Sequence, residues 1–157
     1  MSINVICLAA YRHLTLCWRQ MTTIARHLSL PLDNDLELAK RVESGIPATA
    51  IRLLMEALNL GSIARTAALL QMSAKTAERR VRAKSRLSPE ESERTVRLIR
   101  IVNRAERVLE SEENARQWMA RPLALLGGKS PLEMSRTEPG ARAVEQALGR
   151  LEHGVFA

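Results

Sequence analysis

Aromatic residues are rare in this sequence. Its 157 residues include two tryptophans, one tyrosine and one phenylalanine. The strands of β-rich proteins favour aromatic and β-branched side chains, so this scarcity disfavours the β-rich fold classes. It also disfavours a surface that binds single-stranded nucleic acid by stacking bases on aromatic rings. With 46% apolar and 26% charged residues, the chain still has the composition of a soluble globular protein.

Cysteine is equally scarce, and the sequence has no recognisable catalytic arrangement. Cys7 and Cys17 are the two cysteines, and with His13 they do not have the spacing of a zinc site. We therefore expect free thiols in a reducing cytosol, no metal and no other cofactor. A Ser/His/Asp or Cys/His pattern for nucleophilic catalysis is also missing. These absences predict a binding protein and not an enzyme.

The apolar run near the amino terminus, residues 3–11, is too short to span a lipid bilayer. No basic residue precedes this run and no clear cleavage signal follows it, which disfavours a signal peptide. We expect a cytoplasmic protein. Residues 1–30 are expected to form an N-terminal extension, and the sequence does not decide whether part of it is disordered.

The positive charge is concentrated in one segment of the chain. The whole sequence has 24 Lys and Arg residues against 17 Asp and Glu residues, a net charge of +7. Residues 61–100 hold 10 of the basic residues and 4 of the acidic ones, and the segments on either side are close to neutral. A local cluster of this kind favours a polyanionic partner more strongly than a uniformly basic surface does.

Helical periodicity and helix-start signals run through the chain from residue 36 onward. Several stretches have apolar residues at positions i, i+3, i+4 and i+7, and none has the pattern of a strand. Pro47 suits the first position of a helix, as does Pro89, which lies in a capping box of Ser88 and Glu91. Further helix starts are predicted at Ser62, Ser73, Ser111, Ser130 and Thr137. The sequence therefore predicts an all-α protein with seven or eight helices.

Residues 62–84 have the pattern of a helix-turn-helix. Two short helices are joined by a tight turn at residues 71–72, and the second helix is strongly basic. In this motif the second helix enters the major groove of DNA with its amino-terminal residues against the base edges. The predicted DNA-binding residues are Ser73, Lys75, Thr76, Arg79, Arg80, Arg82 and Lys84. The alternative is a packed helical hairpin with a solvated basic face.

The carboxyl terminus holds the single phenylalanine of the sequence. The final helix is predicted to end at His153 and Gly154, before a tail of Val155, Phe156 and Ala157. In one interpretation His153 caps the helix and Phe156 folds back onto the core. In the other, the tail inserts its one apolar anchor into a pocket of a partner protein. The residues by themselves do not favour either interpretation over the other.

Residues 130–156, SPLEMSRTEPGARAVEQALGRLEHGVF, resemble the C-terminal toxin-binding domain of the Xre/MbcA/ParS antitoxin family. The upstream stretches RLSPEESERTVRLIRIVNRAERVL and ENARQWMARPLALLGGKSPLE resemble the same family, so the resemblance spans about residues 45–157. We expect a helix-turn-helix region for DNA binding and dimerisation over residues 31–110. A small helical toxin-binding domain is expected over residues 111–157.

The resemblance implies the antitoxin of a bacterial type II toxin–antitoxin pair. The implied partners are a RES-domain toxin that consumes NAD, whose NAD site the antitoxin occludes, and the operator DNA of its own operon. A homodimer within a larger toxin–antitoxin complex is expected. By motif, the toxin-facing residues would be Gly149, Arg150, Glu152, His153, Gly154, Val155 and Phe156.

Four other positions also match the family, and their cap and turn chemistry predicts structural roles: Pro131, Leu132, Thr137 and Gly140. The alternative function is a helix-turn-helix transcriptional regulator whose C-terminal domain binds a ligand or another partner, and no toxin.

Overall fold

A computed structural model describes residues 23–154, which fold into helices joined by short turns. The α-helices are α1 (Thr23–His27), α2 (Asp35–Glu43), α3 (Thr49–Ala57), α4 (Ile63–Leu69), α5 (Ala74–Arg82), α6 (Pro89–Leu109), α7 (Glu112–Ala120), α8 (Pro131–Met134) and α9 (Glu138–Glu152). A 3₁₀ turn, Ala124–Leu126, lies between α7 and α8. The described residues form two isolated bridges and no strand, so the all-α prediction is confirmed.

Serine and threonine caps define where most of the helices begin. Each predicted cap accepts a hydrogen bond from the backbone N–H three residues later, as Ser62 does from Arg65. The same geometry occurs at Ser73, Ser88, Ser111, Ser130 and Thr137. Because such a bond satisfies a backbone donor that the helix leaves free, each cap contributes about 0.5–2 kcal/mol. These helix starts were correctly predicted.

Pro47 does not begin a helix, contrary to the sequence prediction. The helix starts two residues later, at Thr49, and Pro47 forms an isolated bridge with Arg86. The flanking backbone is paired over a long range, since Ala48 N–H donates to the Ser85 carbonyl at 2.9 Å. Leu87 N–H likewise donates to the Ile46 carbonyl at 2.9 Å, so residues 46–48 are held against the linker that follows α5. Ala48 already has helical dihedral angles, and the helix begins after it and not at Pro47.

The long helix α6 forms the centre of the fold. It has 21 residues and contacts α1, α2, α3, α7 and α9. Buried residues run along it, including Val96, Ile99 and Val102, and they belong to one hydrophobic core that extends from Ile24 to Leu148. Both predicted domains therefore share a core through α6.

Within residues 23–154, no helix is both long and apolar enough to cross a membrane.

The described part of the predicted N-terminal extension is packed into this core. Ile24 and Ala25 on α1 and the following Leu30 are at most 3% exposed. Helix α1 brings the described helices to nine, where the sequence predicted seven or eight. Residues 23–30 thus contribute to the fold.

Glu106, on α6, is an acid whose ionisation opposes folding. Burial raises the pKa of Glu106 from 4.5 to about 7, and the negative charge of Glu112 adds to this shift, while Arg26 and Arg116 act against it. Between these two values the folded protein binds a proton that the unfolded chain has released. The free energy of unfolding therefore falls as the pH rises from about 4.5 to 7.

We expect the Glu106→Gln variant to lose this part of the pH dependence. Its neutral amide should raise the Tm relative to the parent protein at pH 8 and leave it similar at pH 5, as measured by circular dichroism. Glu56→Gln, at an exposed position on α3, is the control and should leave the profile unchanged. A Tm difference of equal size at both pH values would contradict this account.

Candidate functional site

The helix-turn-helix predicted for residues 62–84 is formed by α4 and α5. The two helices contact each other, and each buries small or apolar side chains. Thr66 and Ala67 on α4 are fully buried, and so is Ala77 on α5, with Val81 at 4% exposure. Because one side of α5 is buried in this way, its opposite side faces the solvent.

Three cations form a stripe along the solvent side of α5. Lys75, Arg79 and Arg82 are exposed, and their spacing of i, i+4 and i+7 places them on one helical face over about 10 Å. In the described part of the chain, none of the three takes part in an ion pair. The basic stripe is therefore available to an external anion.

The other polar residues predicted for this surface lie at the two ends of α5. The Ser73 hydroxyl donates to Thr76 Oγ1 at 2.8 Å and accepts from the Thr76 N–H at 3.1 Å, so both side chains form the helix cap. Lys84 is exposed after the end of the helix, with a φ of 48°. The cap places Ser73 and Thr76 at the amino end of α5, where a recognition helix meets base edges.

Arg80 lies apart from the basic stripe. Its Nε is 3.1 Å from Glu91 Oε2 in an ion pair, and one of its Nη atoms donates to the Arg86 carbonyl at 2.9 Å. The Arg80 side chain is 25% exposed. Its guanidinium joins α5 to the start of α6 and thereby holds the helix in position. Sequence spacing could not identify this role, because the acceptor belongs to the next helix.

Gln71, in the turn between α4 and α5, makes two long-range contacts that sequence reasoning missed. Its side-chain Nε2 donates to the Arg136 carbonyl at 2.7 Å, and its own carbonyl accepts from an Arg94 Nη at 3.0 Å. The turn is thereby attached both to α6 and to the loop between α8 and α9. No local sequence signal predicts contacts between residues so far apart.

Helix α9 packs against α6, and ion pairs join the two helices near both ends of α9. Near its start, Arg97 Nε lies 3.1 Å from Glu138 Oε2, and near its end, an Arg104 Nη lies 3.4 Å from Glu152 Oε2. A Cβ atom built at Gly149 would lie 3.2 Å from the Arg104 guanidinium, so glycine leaves room for that arginine. Sequence reasoning missed Arg104.

The described members of the predicted toxin-facing set lie at the carboxyl end of α9. Gly149 is half-buried, and the exposed members of the set are Arg150, Glu152, His153 and Gly154. His153 is the C-cap residue, and its backbone N–H donates to the Gly149 carbonyl at 3.1 Å. Val155 and Phe156 lie outside the described residues. The described residues of the set thus form an exposed helix end.

The start of α9 depends on tight packing against α8. Thr137 caps the helix, and Gly140 faces the Met134 carbonyl so closely that a Cβ atom would overlap it. Pro131 is buried and Leu132 is half-buried. These four family-matching residues all have packing or capping contacts in the fold.

The described residues on the exposed face of α5 and at the end of α9 do not group side chains that could bind a metal ion. Within residues 23–154, no three His, Cys, Asp or Glu side chains are grouped to hold a metal ion. Cys7, His13 and Cys17 lie outside the described part of the chain. The arrangement offers binding chemistry: exposed guanidinium and ammonium groups on α5, and a polar helix end on α9.

Two family models match the chain side by side. The antitoxin Xre-like helix-turn-helix domain matches residues 37–100. The C-terminal toxin-binding domain of antitoxin Xre/MbcA/ParS matches residues 104–154. The first match contains the basic stripe on α5, and the second contains Arg104 and the exposed end of α9.

Curated relatives agree with these matches over most of the chain. Antitoxin Xre of Yersinia enterocolitica is 31% identical over 136 residues, covering 84% of this chain and 89% of the relative. Antitoxin Xre of Photorhabdus laumondii is 29% identical over 141 residues, covering 88% and 93%. The Prs ADP-ribosylating antitoxin of a Sphingobium species is 26% identical over 125 residues, covering 74% and 78%. The chain therefore belongs to the Xre/MbcA/ParS antitoxin family, with a helix-turn-helix domain followed by a C-terminal toxin-binding domain.

Proposed function

We propose that this protein is the antitoxin of a type II toxin–antitoxin pair, that it occludes the NAD site of a RES-domain toxin, and that it represses its own operon. The observation that carries the proposal is the separation of two exposed surfaces. The basic stripe lies on α5, and the predicted toxin-facing residues lie at the end of α9. One chain can therefore bind a polyanion and a protein at different places.

The DNA-binding part of the proposal is supported by the free cations of α5. Lys75, Arg79 and Arg82 point away from the packed side of the helix-turn-helix and have no internal partner among the described residues. A single recognition helix makes few contacts with DNA, and helix-turn-helix dimers read two half-sites about one helical turn apart. We therefore expect a homodimer to bind the operator.

The toxin-binding part of the proposal is supported by the packing of α9. Val144 and Leu148 are fully buried in the core, so a partner would meet a preorganised helix end and lose little entropy on docking. The name of the Sphingobium relative refers to ADP-ribosylation. Transfer of ADP-ribose consumes NAD, which supports an NAD-consuming toxin as the partner. In this function the antitoxin acts by binding and performs no catalysis.

Co-expression with the neighbouring open reading frame tests the proposed pairing. The neighbouring product alone should arrest growth and deplete cellular NAD, and co-expression of this chain should restore both. If the neighbouring product is harmless alone, or remains toxic with this chain present, the antitoxin function is contradicted. The protein would then be interpreted as a helix-turn-helix regulator whose C-terminal domain binds another partner.

We expect Phe156→Ala to weaken toxin binding by about 10- to 100-fold, because it removes the single apolar anchor proposed for the tail. Deletion of residues 155–157 should have the same effect. Leu125→Ala is the matched control, since Leu125 is a large apolar side chain that is 54% exposed on the 3₁₀ turn. Isothermal titration calorimetry with an inactivated toxin would give the Kd values. Equal losses of toxin binding and DNA binding would instead indicate that the tail is needed for folding.

A further inference from the structure

The loop before α9 lies directly beside the turn that leads into α5. The Arg136 carbonyl accepts a hydrogen bond from Gln71 Nε2 at 2.7 Å, although the two residues are 65 positions apart. Arg94 donates to the carbonyl of the same glutamine at 3.0 Å. Arg94 also lines a pocket with Ser73 and Thr76, which form the cap of α5. A residue of the toxin-binding domain is thus held next to the amino end of the helix proposed to read DNA.

The Arg136 side chain is exposed on a positively charged groove that is formed by the turn between α3 and α4, by α4, by α7 and by α8. Its guanidinium forms no ion pair or hydrogen bond within residues 23–154, and the residue is exposed. Arg65, on α4, is likewise exposed and borders the same groove, whose volume is about 440 Å³. The groove therefore presents two unpaired cations from two domains.

The other charged groups of this groove are already engaged. Arg116 donates to the Ala57 carbonyl at 3.0 Å and pairs with Glu113 at 2.7 Å. Glu133, the one acid that lines the groove, accepts hydrogen bonds from the Ser130 N–H and hydroxyl, and these bonds together with the charges of Lys129 and Arg136 lower its pKa. The carboxylate therefore keeps its negative charge. With three arginines against this one carboxylate, the lining of the groove remains net positive.

We propose that Arg136, together with Arg65, contacts the phosphate backbone of duplex DNA at the edge of the major groove that α5 is proposed to enter. The toxin-binding domain would then supply part of the DNA interface. A major groove is about 12 Å wide and is bordered by phosphates on both sides. The backbone of Arg136 is held beside the turn that precedes α5, so its exposed side chain is suitably placed to meet one of those strands. This inference rests on the proposed DNA binding by α5.

Phosphate contacts and base contacts have different experimental signatures, and the test uses this difference. Removing a phosphate contact weakens binding about equally for all sequences and lowers the slope of log K against log salt by about 0.9. Arg136→Ala keeps the backbone carbonyl that Gln71 uses, so the substitution removes the cation without removing the contact between loop and turn.

The measurement is fluorescence anisotropy between 50 and 300 mM salt, with two probes. One duplex spans the promoter before the gene, and the other is a scrambled duplex of equal length. Arg136→Ala and Arg65→Ala should each weaken binding to both duplexes by about eightfold at 0.1 M salt and lower the slope by about 0.9. Arg136→Lys keeps the charge and should retain the slope. Circular dichroism and toxin capture should show no change.

Arg107→Ala is the matched control, because it also removes one exposed arginine. Arg107 lies on α6 thirteen residues after Arg94, which is about 20 Å along the helix. If Arg136→Ala and Arg107→Ala have the same slope as the parent while substitutions on α5 abolish binding, the inference is overturned and the proposed function remains. If substitutions on α5 also have no effect, DNA binding by this domain is itself contradicted.

Discussion

Replacing Gly140 by alanine should lower the free energy of unfolding by about 2–4 kcal/mol and the Tm by roughly 5–15 °C. Gly140 is buried in the first turn of α9, and its Cα faces the Met134 carbonyl oxygen of α8. A Cβ atom would overlap this backbone group, which cannot move aside as a side chain could. The start of α9 would have to shift, so toxin binding should weaken as well. Thermal unfolding followed by circular dichroism measures the effect.

Gly149→Ala is the matched control, because it makes the same change in the same helix. There the added Cβ would meet only the Arg104 guanidinium at 3.2 Å, and this flexible group can move by a few tenths of an ångström. Alanine also gains up to about 1 kcal/mol of helix propensity over glycine. We therefore expect the Tm of this variant to be unchanged or raised. A Gly140→Ala variant as stable as the parent would show that α8 and α9 can separate freely.

The double variant Lys75→Ala/Arg79→Ala should bind operator DNA about 10²- to 10⁴-fold more weakly, since each base contact contributes about 1–3 kcal/mol of discrimination. Both side chains are exposed on the face of α5 opposite the buried Ala77 and Val81. The fold does not use either cation in an ion pair among the described residues. Stability and toxin capture should therefore be retained, and a gel shift with the promoter duplex would report the loss.

Lys40→Ala/Arg41→Ala controls for the loss of two positive charges. These residues are exposed at the end of α2, so the net charge changes equally while α5 is left intact. Unchanged operator binding is expected for this control. Equal losses in the two double variants would mean that DNA binding depends on total charge and not on the α5 surface, and α4–α5 would then be a packed hairpin with a solvated basic face.

The local features of the fold were predictable because their partners lie close together in the chain. A serine cap and the N–H that it accepts from are three residues apart, so Ser88 and Glu91 could be recognised as a capping box without coordinates. The spacing of Lys75, Arg79 and Arg82 likewise predicts a shared helical face. The helix starts at the six serine and threonine caps and the all-α class were confirmed, whereas the start predicted at Pro47 was wrong. The roles of the DNA- and toxin-binding residues stay predictions.

The long-range contacts could not be predicted in this way. Arg80 belongs to the same basic run as Arg79 and Arg82, yet it pairs with Glu91 on the next helix. The pairs Gln71–Arg136 and Arg104–Glu152 are separated by 65 and 48 residues. No periodicity within a single helix contains information about such partners. They follow from the tertiary packing, which places α5 beside the start of α6, the turn before α5 beside the loop before α9, and α9 along α6.

The sequence by itself determined the capped helices from Ser62 onward and the cationic face of α5, because these depend on bonds and spacings within a few residues. Tertiary structure decided which cations remain free, since burial and ion pairing depend on neighbouring helices. It placed Arg80 in an ion pair with Glu91 and left Arg136 exposed beside the turn of the helix-turn-helix. It also joined the two domains, because α6 buries apolar side chains against both and gives them one core.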